Sequence, residues 1–298
     1  MRRFLLVGSL AMLMMSAAAP LALAHTPDRS GGGGQALQVV GLTADGRLVA
    51  FTSERTRSVG SIGKVDGLVR DKSLVGIDYR IQDGKLYGVG NKGGIYTLST
   101  RTAKATKVSQ LSVALAGTRF GVDFNPAANR LRVISDTGQN LRHNIDDPMG
   151  MPAAGTTAED GTLTYPPATS PATGVTAAAY TNNDLDPTTA TTLFDLDTAL
   201  DQISVQSPAN AGSLAPTGKI GVDSGSSAGF DIYTPRRDGT ATALATLQVG
   251  HKSGLYKVDL LTGRAKAVGT FPSRHQIVDL AIQVDQRGFR PVAAPAGS

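Results

Sequence analysis

The 298-residue sequence contains neither cysteine nor tryptophan. Without cysteine there is no disulfide framework, no thiolate-bound zinc or iron–sulfur centre, no cysteine nucleophile and no lipidated N-terminal cysteine. Beyond the N-terminus no stretch approaches the roughly 18 uninterrupted apolar residues of a membrane-spanning helix, so no span is expected in the mature chain. Lysine or arginine runs are missing too, and the formal net charge of +5 is too small to demand a nucleic-acid partner. The histidines His25, His143, His251 and His275 fall in no paired spacing, so a histidine-built transition-metal site lacks support. No amphipathic helical periodicity is evident either. What is present is 41% hydrophobic and 18% charged residues with 35 glycines and 15 prolines, a globular composition rich in turns.

The chain begins with a three-part export pattern over residues 1–24. Arg2 and Arg3 precede an apolar run from Phe4 to Met15, and Ala22-Leu23-Ala24 forms a small-x-small cleavage site. The protein is therefore expected to be exported, to the periplasm or the medium. Cleavage leaves 27 basic against 24 acidic side chains. Residues 25–36, with four consecutive glycines from Gly31 to Gly34, read as a flexible linker, residues 37–284 as one domain, and residues 285–298 as a frayed tail.

Five hairpin-like stretches can be laid over one another, beginning at Leu37, Leu86, Leu131, Leu193 and Leu247. Each is an apolar strand, a turn rich in Gly, Asp or Asn, and a second strand. Several continue into a third strand, as at Ala103 to Val108 and Arg264 to Val268. A further strand leads the later four: Gly76-Ile77-Asp78-Tyr79, Gly121-Val122-Asp123-Phe124, Ala177-Ala178-Ala179-Tyr180 and Gly229-Phe230-Asp231-Ile232. The first hairpin lacks a leading strand, and the last leading strand, Ile277-Val278-Asp279-Leu280, lacks a hairpin. The two deficits match if the end of the chain completes the first repeat. The expectation is an all-β propeller of five four-stranded blades, rather than six and rather than a β-sandwich. One such blade is apolar on both faces and can hide them only against neighbours in a closed ring.

The stretches Arg119 to Asn144 (RFGVDFNPAANRLRVISDTGQNLRHN), Gly174 to Leu214 and Leu86 to Thr100 (LYGVGNKGGIYTLST) resemble the bacterial domain of unknown function 4394 family, over about Leu37 to Val284. The resemblance implies exported bacterial proteins with propeller-like repeats. It carries over no activity and no catalytic residues.

Motifs that suggest chemistry fare poorly on their contexts. Gly88-Val89-Gly90-Asn91-Lys92-Gly93 has the glycine spacing of a dinucleotide fingerprint, but a strand-like segment follows where the fingerprint needs a helix. Gly225-Ser226-Ser227-Ala228-Gly229 matches a hydrolase elbow, yet Ser227 also leads into a strand. Asn182, Asp184 and Asp186 alternate as in a calcium loop, and Asp184 and Asp186 are candidate calcium ligands. The EF-hand reading fails because Pro187 and Leu193 occupy its glycine and glutamate positions. Asp78, Asp123, Asp231 and Asp279 recur once per repeat. They are expected to line a central channel, either as braces to neighbouring amides or as ligands. Arg130, Arg132 and Arg142 lie close across one hairpin, where like charges need either internal aspartates or an anionic ligand between them.

These residues leave two readings. The first is a non-catalytic binding propeller, expected to be a monomer, with an extracellular or periplasmic ligand or protein as its partner. The second is a calcium-assisted hydrolase or lactonase with the ion held by Asp78, Asp123, Asn125 and Asp231. Calcium is the one cofactor that either reading admits.

Overall fold

The computed structural model describes residues 36–186, 188–234, 240–284 and 286. The expected signal peptide, the linker up to residue 35 and the tail apart from Gln286 lie outside them. The described residues form twenty β-strands in five four-stranded antiparallel sheets and contain no α-helix.

In chain order the strands fall into blades. Blade 1 holds β1 (Gln38–Thr43), β2 (Arg47–Thr52) and β3 (Arg55–Lys64). Blade 2 runs through β4 (Leu74–Arg80), β5 (Lys85–Gly90), β6 (Gly94–Leu98) and β7 (Ala105–Gln110). Blade 3 is β8 (Phe120–Asn125), β9 (Arg130–Ser135), β10 (Asn140–His143) and β11 (Thr157–Glu159). Blade 4 comprises β12 (Val175–Tyr180), β13 (Leu193–Asp197), β14 (Gln202–Gln206) and β15 (Leu214–Lys219). Blade 5 is β16 (Ala228–Tyr233), β17 (Thr242–Val249), β18 (Lys252–Val258) and β19 (Ala265–Thr270). The last strand, β20 (Ile277–Ile282), pairs antiparallel with β1 and becomes the inner strand of blade 1, with Val39 opposite Ile282 and Val40 opposite Ala281. The chain end thus closes the ring on its own beginning.

Burial follows the pairing. Five apolar clusters fill the five spaces between blades. Along β20, Leu280 and Ile282 pack towards blade 5 while Ala281 packs towards blade 2, so one strand serves two interfaces through its period-two alternation. Glycine makes the inner ring tight. A Cβ on Gly121 would lie 2.6 Å from the backbone nitrogen of Ala178, and one on Gly229 2.5 Å from the Cα of Asp279. Backbone that close cannot yield by a rotamer change.

The glycine-rich segment Gly88 to Gly93 is a hairpin turn. Gly93 has φ +80° and donates its N–H to the Gly90 carbonyl at 2.8 Å, and β6 follows directly. Asp71 clasps the turn, accepting from the Lys92 N–H and the Tyr96 hydroxyl, each at 2.5 Å. Blade 3 differs from the sequence expectation in one element. The polar stretch after Asp147 contains β11, a three-residue strand that pairs His143 with Thr157 and supplies the outer strand of the blade. So short and polar a strand carries no alternation to be recognised.

Candidate functional site

The inner strands β20, β4, β8, β12 and β16 surround a central channel. Their first residues border one cavity and their last residues border another, so the two lie at opposite ends.

The narrow end is built from aspartates. Asp78 accepts the N–H of Tyr79 at 2.6 Å and, from the next blade, that of Phe124 at 2.8 Å. Asp123 accepts the Tyr180 N–H at 3.2 Å. Asp231 accepts from Ile232 at 2.6 Å and from Ile282 at 2.5 Å. Asp279 accepts from Leu280 at 2.9 Å and from Ile77 at 2.7 Å. Every junction between inner strands therefore carries one such brace, except that from β12 to β16, where Ala179 has no carboxylate to offer.

The four aspartates are not level with one another, contrary to the alignment of the repeats. Asp78, Asp123 and Asp231 reach the amide that follows the level position on the next strand: Phe124 after Asp123, Tyr180 after Ala179, Ile282 after Ala281. Ala281 thus stands where the repeat placed Asp279. Asp279 lies two residues earlier, level with Gly76, and braces the amide after it. A two-residue shift keeps every side chain on its own face, so alternation along Ile277 to Ile282 cannot tell the two registers apart.

The three level carboxyls converge, with potential ligand atoms all within 4.8 Å of one another, and all three residues are buried. They border a cavity of about 10 Å³, the space of one water molecule or ion. Asn182 borders it too. Its Oδ1 accepts the Asp184 N–H at 3.1 Å, while its buried Nδ2 has no partner. Asn125 stands outside the cluster, accepting the Ala128 N–H at 2.9 Å. Asp184 and Asp186, the candidate calcium ligands, are not part of that convergent group among the described residues. Asp184 accepts the Asp186 N–H at 2.8 Å, and Asp186 accepts from the N–H and hydroxyl of Thr188.

Burial sets the electrostatics here. Desolvation first, and the Asp231 charge second, push the Asp78 carboxyl well above its usual range. Desolvation and then Asp78 do the same to Asp123. Desolvation raises Asp231 to about 7 and Asp279 well above its usual range. Asp195, buried with neither oxygen hydrogen-bonded, is raised by the same cause. These groups hold protons in the fold that the unfolded chain releases above pH 3.8. The stability they contribute is complete below that value and is lost as pH rises through their folded values. His143 acts in the opposite sense. Desolvation lowers it from 6.5 to about 4, so its contribution is complete above 6.5 and is lost as pH falls towards 4. His275 is lowered too, by desolvation first, and acts in the same sense as His143. With five carboxyls against two imidazoles, the melting temperature in metal-free buffer is expected to be higher near about pH 5 than near pH 8. A melting temperature that climbs steadily over that interval would contradict the assignment.

Arg130, Arg132 and Arg142 come together as expected, and aspartates lie between them. Arg132 pairs directly opposite Arg142 on β10, and Asp160 accepts from both, at 2.8 and 3.0 Å. Arg130 meets Asp147 at 3.1 Å. Their charges are answered inside the protein. Arg80, which the repeat pattern does not single out, is buried likewise and clasps Asp146 with both terminal nitrogens.

The wide end of the channel is a cavity of about 500 Å³. It is walled by the residues that enter the inner strands and by turns of neighbouring hairpins, among them Asn91, Arg119, Gln248, His251 and Gln276. Among the described residues no aspartate or glutamate lines it. Arg119 is exposed and has no ion pair among the described residues. Ser227 shares this wall with His251, but no hydrogen bond joins them among the described residues. In the sequence Arg119 is merely one of several clustered arginines. Its position just before a leading strand is the signal that it faces the channel mouth.

Comparison with known proteins gives a family but no activity. The family model described as "Domain of unknown function (DUF4394)" matches residues 47–281. No curated protein matches the chain. Among solved structures, the chain is similar to hydrazine synthase of Kuenenia stuttgartiensis at 12% identity and TM-score 0.39, covering 70% of this chain and 53% of that one. It thus spans about half of that protein's chain. It is also similar to the allergen Mala s 1 of Malassezia sympodialis, at 10% identity and TM-score 0.42, covering 77% and 68% of the two chains. A protein of unknown function from Bacteroides thetaiotaomicron matches at 13% identity and TM-score 0.42, covering 83% and 64%. Likenesses this distant say nothing about chemistry.

Proposed function

The chain belongs to the family described as a domain of unknown function (DUF4394), and for this member we propose the role of an exported, non-catalytic binding propeller that takes a small anionic ligand at the wide mouth of its channel. The observation that carries this is the acid-free cavity of about 500 Å³ with Arg119 on its wall. A guanidinium without an internal acid offers a planar, multiply donating surface for a carboxylate or phosphate. Asn91, Gln248 and Gln276 add donors and acceptors that orient the rest of a polar molecule. The hydrolase reading gains no support at this mouth, where among the described residues no hydrogen bond joins Ser227 to His251.

The test is a panel of small dicarboxylates, sugar phosphates and acidic sugars, followed by thermal shift and calorimetry on wild type and Arg119→Ala. Arg119 is exposed, so the variant is expected to fold normally. Loss of a charge-assisted contact should weaken the best ligand by about 10- to 100-fold. If no anion in the panel binds, or if the variant binds as well as wild type, the proposal fails.

A further inference from the structure

We propose that the narrow end of the channel is a calcium site, with Asp78, Asp123 and Asp231 as its protein ligands and Asn182 holding a water on the open side of the ion. The site is independent of the anion cavity, from which the length of the inner strands separates it.

Convergence sets this cluster apart from mere bracing. Four aspartates brace the inner ring, but only three come together. Asp279 braces Ile77 from one level away, which shows that bracing does not require carboxyls to be brought together. At the shared level the ring reads Asp78, Asp123, Ala179, Asp231, Ala281: the three aspartates border one small cavity, while the two alanines pack into the apolar clusters between blades. Among the described residues no lysine or arginine borders this cavity.

Asn182 points to a ligand independently of the acids. It is only 5% exposed and borders the same cavity, and its Nδ2 has no partner. The Asp184 N–H fixes its amide the other way round, with Oδ1 turned to the loop. A buried amide donor needs an acceptor, and leaving it without one is costly. A water oxygen at the mouth of the cavity supplies that acceptor and completes the shell of an ion seated on the carboxyls.

Donor chemistry and geometry select the ion. All donors are oxygens, which suits hard cations and disfavours zinc or copper. Three carboxylates whose ligand atoms lie within 4.8 Å of one another can share one ion, and calcium, which accepts irregular oxygen shells, suits them better than magnesium, which demands near-ideal octahedral geometry and keeps several waters. Each carboxyl is already held by a backbone N–H, so the ligands are in place before the ion arrives. Calcium takes carboxylates in the ionised form, so protons compete with it for these ligands.

The decisive variant is Asp123→Asn. Asp123 braces only through Oδ1, so asparagine can keep that bond while its amide replaces one ligand oxygen with a donor. Protein freed of metal is melted at about pH 8 with and without about 5 mM calcium chloride, with sodium chloride at matched ionic strength as control and magnesium chloride in parallel. Wild type is expected to gain about 5 °C or more with calcium, less with magnesium, and nothing with sodium. Calorimetry should give one calcium per chain, with weaker binding at about pH 5. Asp123→Asn should lose the calcium response. Should that variant fail to fold, terbium on wild type serves instead: Tyr79 and Tyr180 border the cavity, so tyrosine-sensitised emission that calcium displaces is expected. No calcium-specific gain in wild type, an undiminished response in Asp123→Asn, or no displaceable terbium emission would each overturn the site.

Discussion

Ending the chain after Gln276 should abolish cooperative folding. The missing strand, β20, is the inner strand of blade 1, and it carries Ile277, Leu280 and Ile282 at 3%, 1% and 2% exposure. Burying three such side chains contributes about 5–9 kcal/mol, at about 1.5–3 kcal/mol each. The whole stability of a domain is about 5–15 kcal/mol. The truncation also strips the Ile77 amide of Asp279 and leaves Asp231 without the Ile282 amide. It exposes the inner edge of β1 and opens the apolar clusters on both sides of blade 1. Far-ultraviolet circular dichroism during heating is the direct measurement, and a truncated chain that still melted sharply within a few degrees of wild type would refute ring closure. A permuted chain makes the converse point. Because Ile282 lies opposite Val39, moving residues 277–284 ahead of Leu37 through a short linker should preserve the fold.

Arg132→Ala should be the most damaging single substitution considered. Arg132 is 2% exposed. It donates to Asn140 Oδ1 at 2.6 Å, Asp160 at 2.8 Å, Asn210 Oδ1 at 2.8 Å and the Tyr180 hydroxyl at 3.3 Å. One guanidinium thus ties blade 3 to blade 4. Breaking a buried ion pair by removing one partner costs about 3–5 kcal/mol, because the groups left behind stay buried without it. For a domain of this size that is a fall of roughly 10 °C in melting temperature. Lysine should not rescue it, since a single ammonium cannot reach four acceptors set around a planar fork. Arg142→Ala should cost far less, its side chain being 23% exposed. Urea denaturation of the three variants resolves the difference, and an Arg132→Ala protein within about 1 kcal/mol of wild type would show that the network contributes little.

Legibility in the sequence varies with how local each feature is. Hairpins such as β5–β6 and β9–β10 are readable because apolar alternation and a glycine or asparagine turn lie within one short segment. The two ends match because a missing leading strand and a surplus one are visible without any coordinates. The level of Asp279 is not readable, since a shift of two residues leaves the hydrophobic pattern intact. Asp160 cannot be matched to Arg132 and Arg142 along the chain because it follows a strand too short and polar to be recognised. Asn182 draws notice for the wrong reason. Its alternation with Asp184 and Asp186 suggests a calcium loop, whereas its amide borders the channel.

From the amino-acid order alone come the all-β class, the repeat of four strands and the closing of the ring, since these depend on periodicity and turn chemistry within a single repeat. The tertiary structure alone decided which three aspartates converge, which arginines are answered internally, and that Arg119 is left facing an acid-free cavity. The first and last of those facts join residues from different blades, whose relative level is set by backbone packing such as that of Gly121 against Ala178; the second joins β9 and β10 to residues of the stretch after them, Asp147 and Asp160, and no pattern along one strand records either.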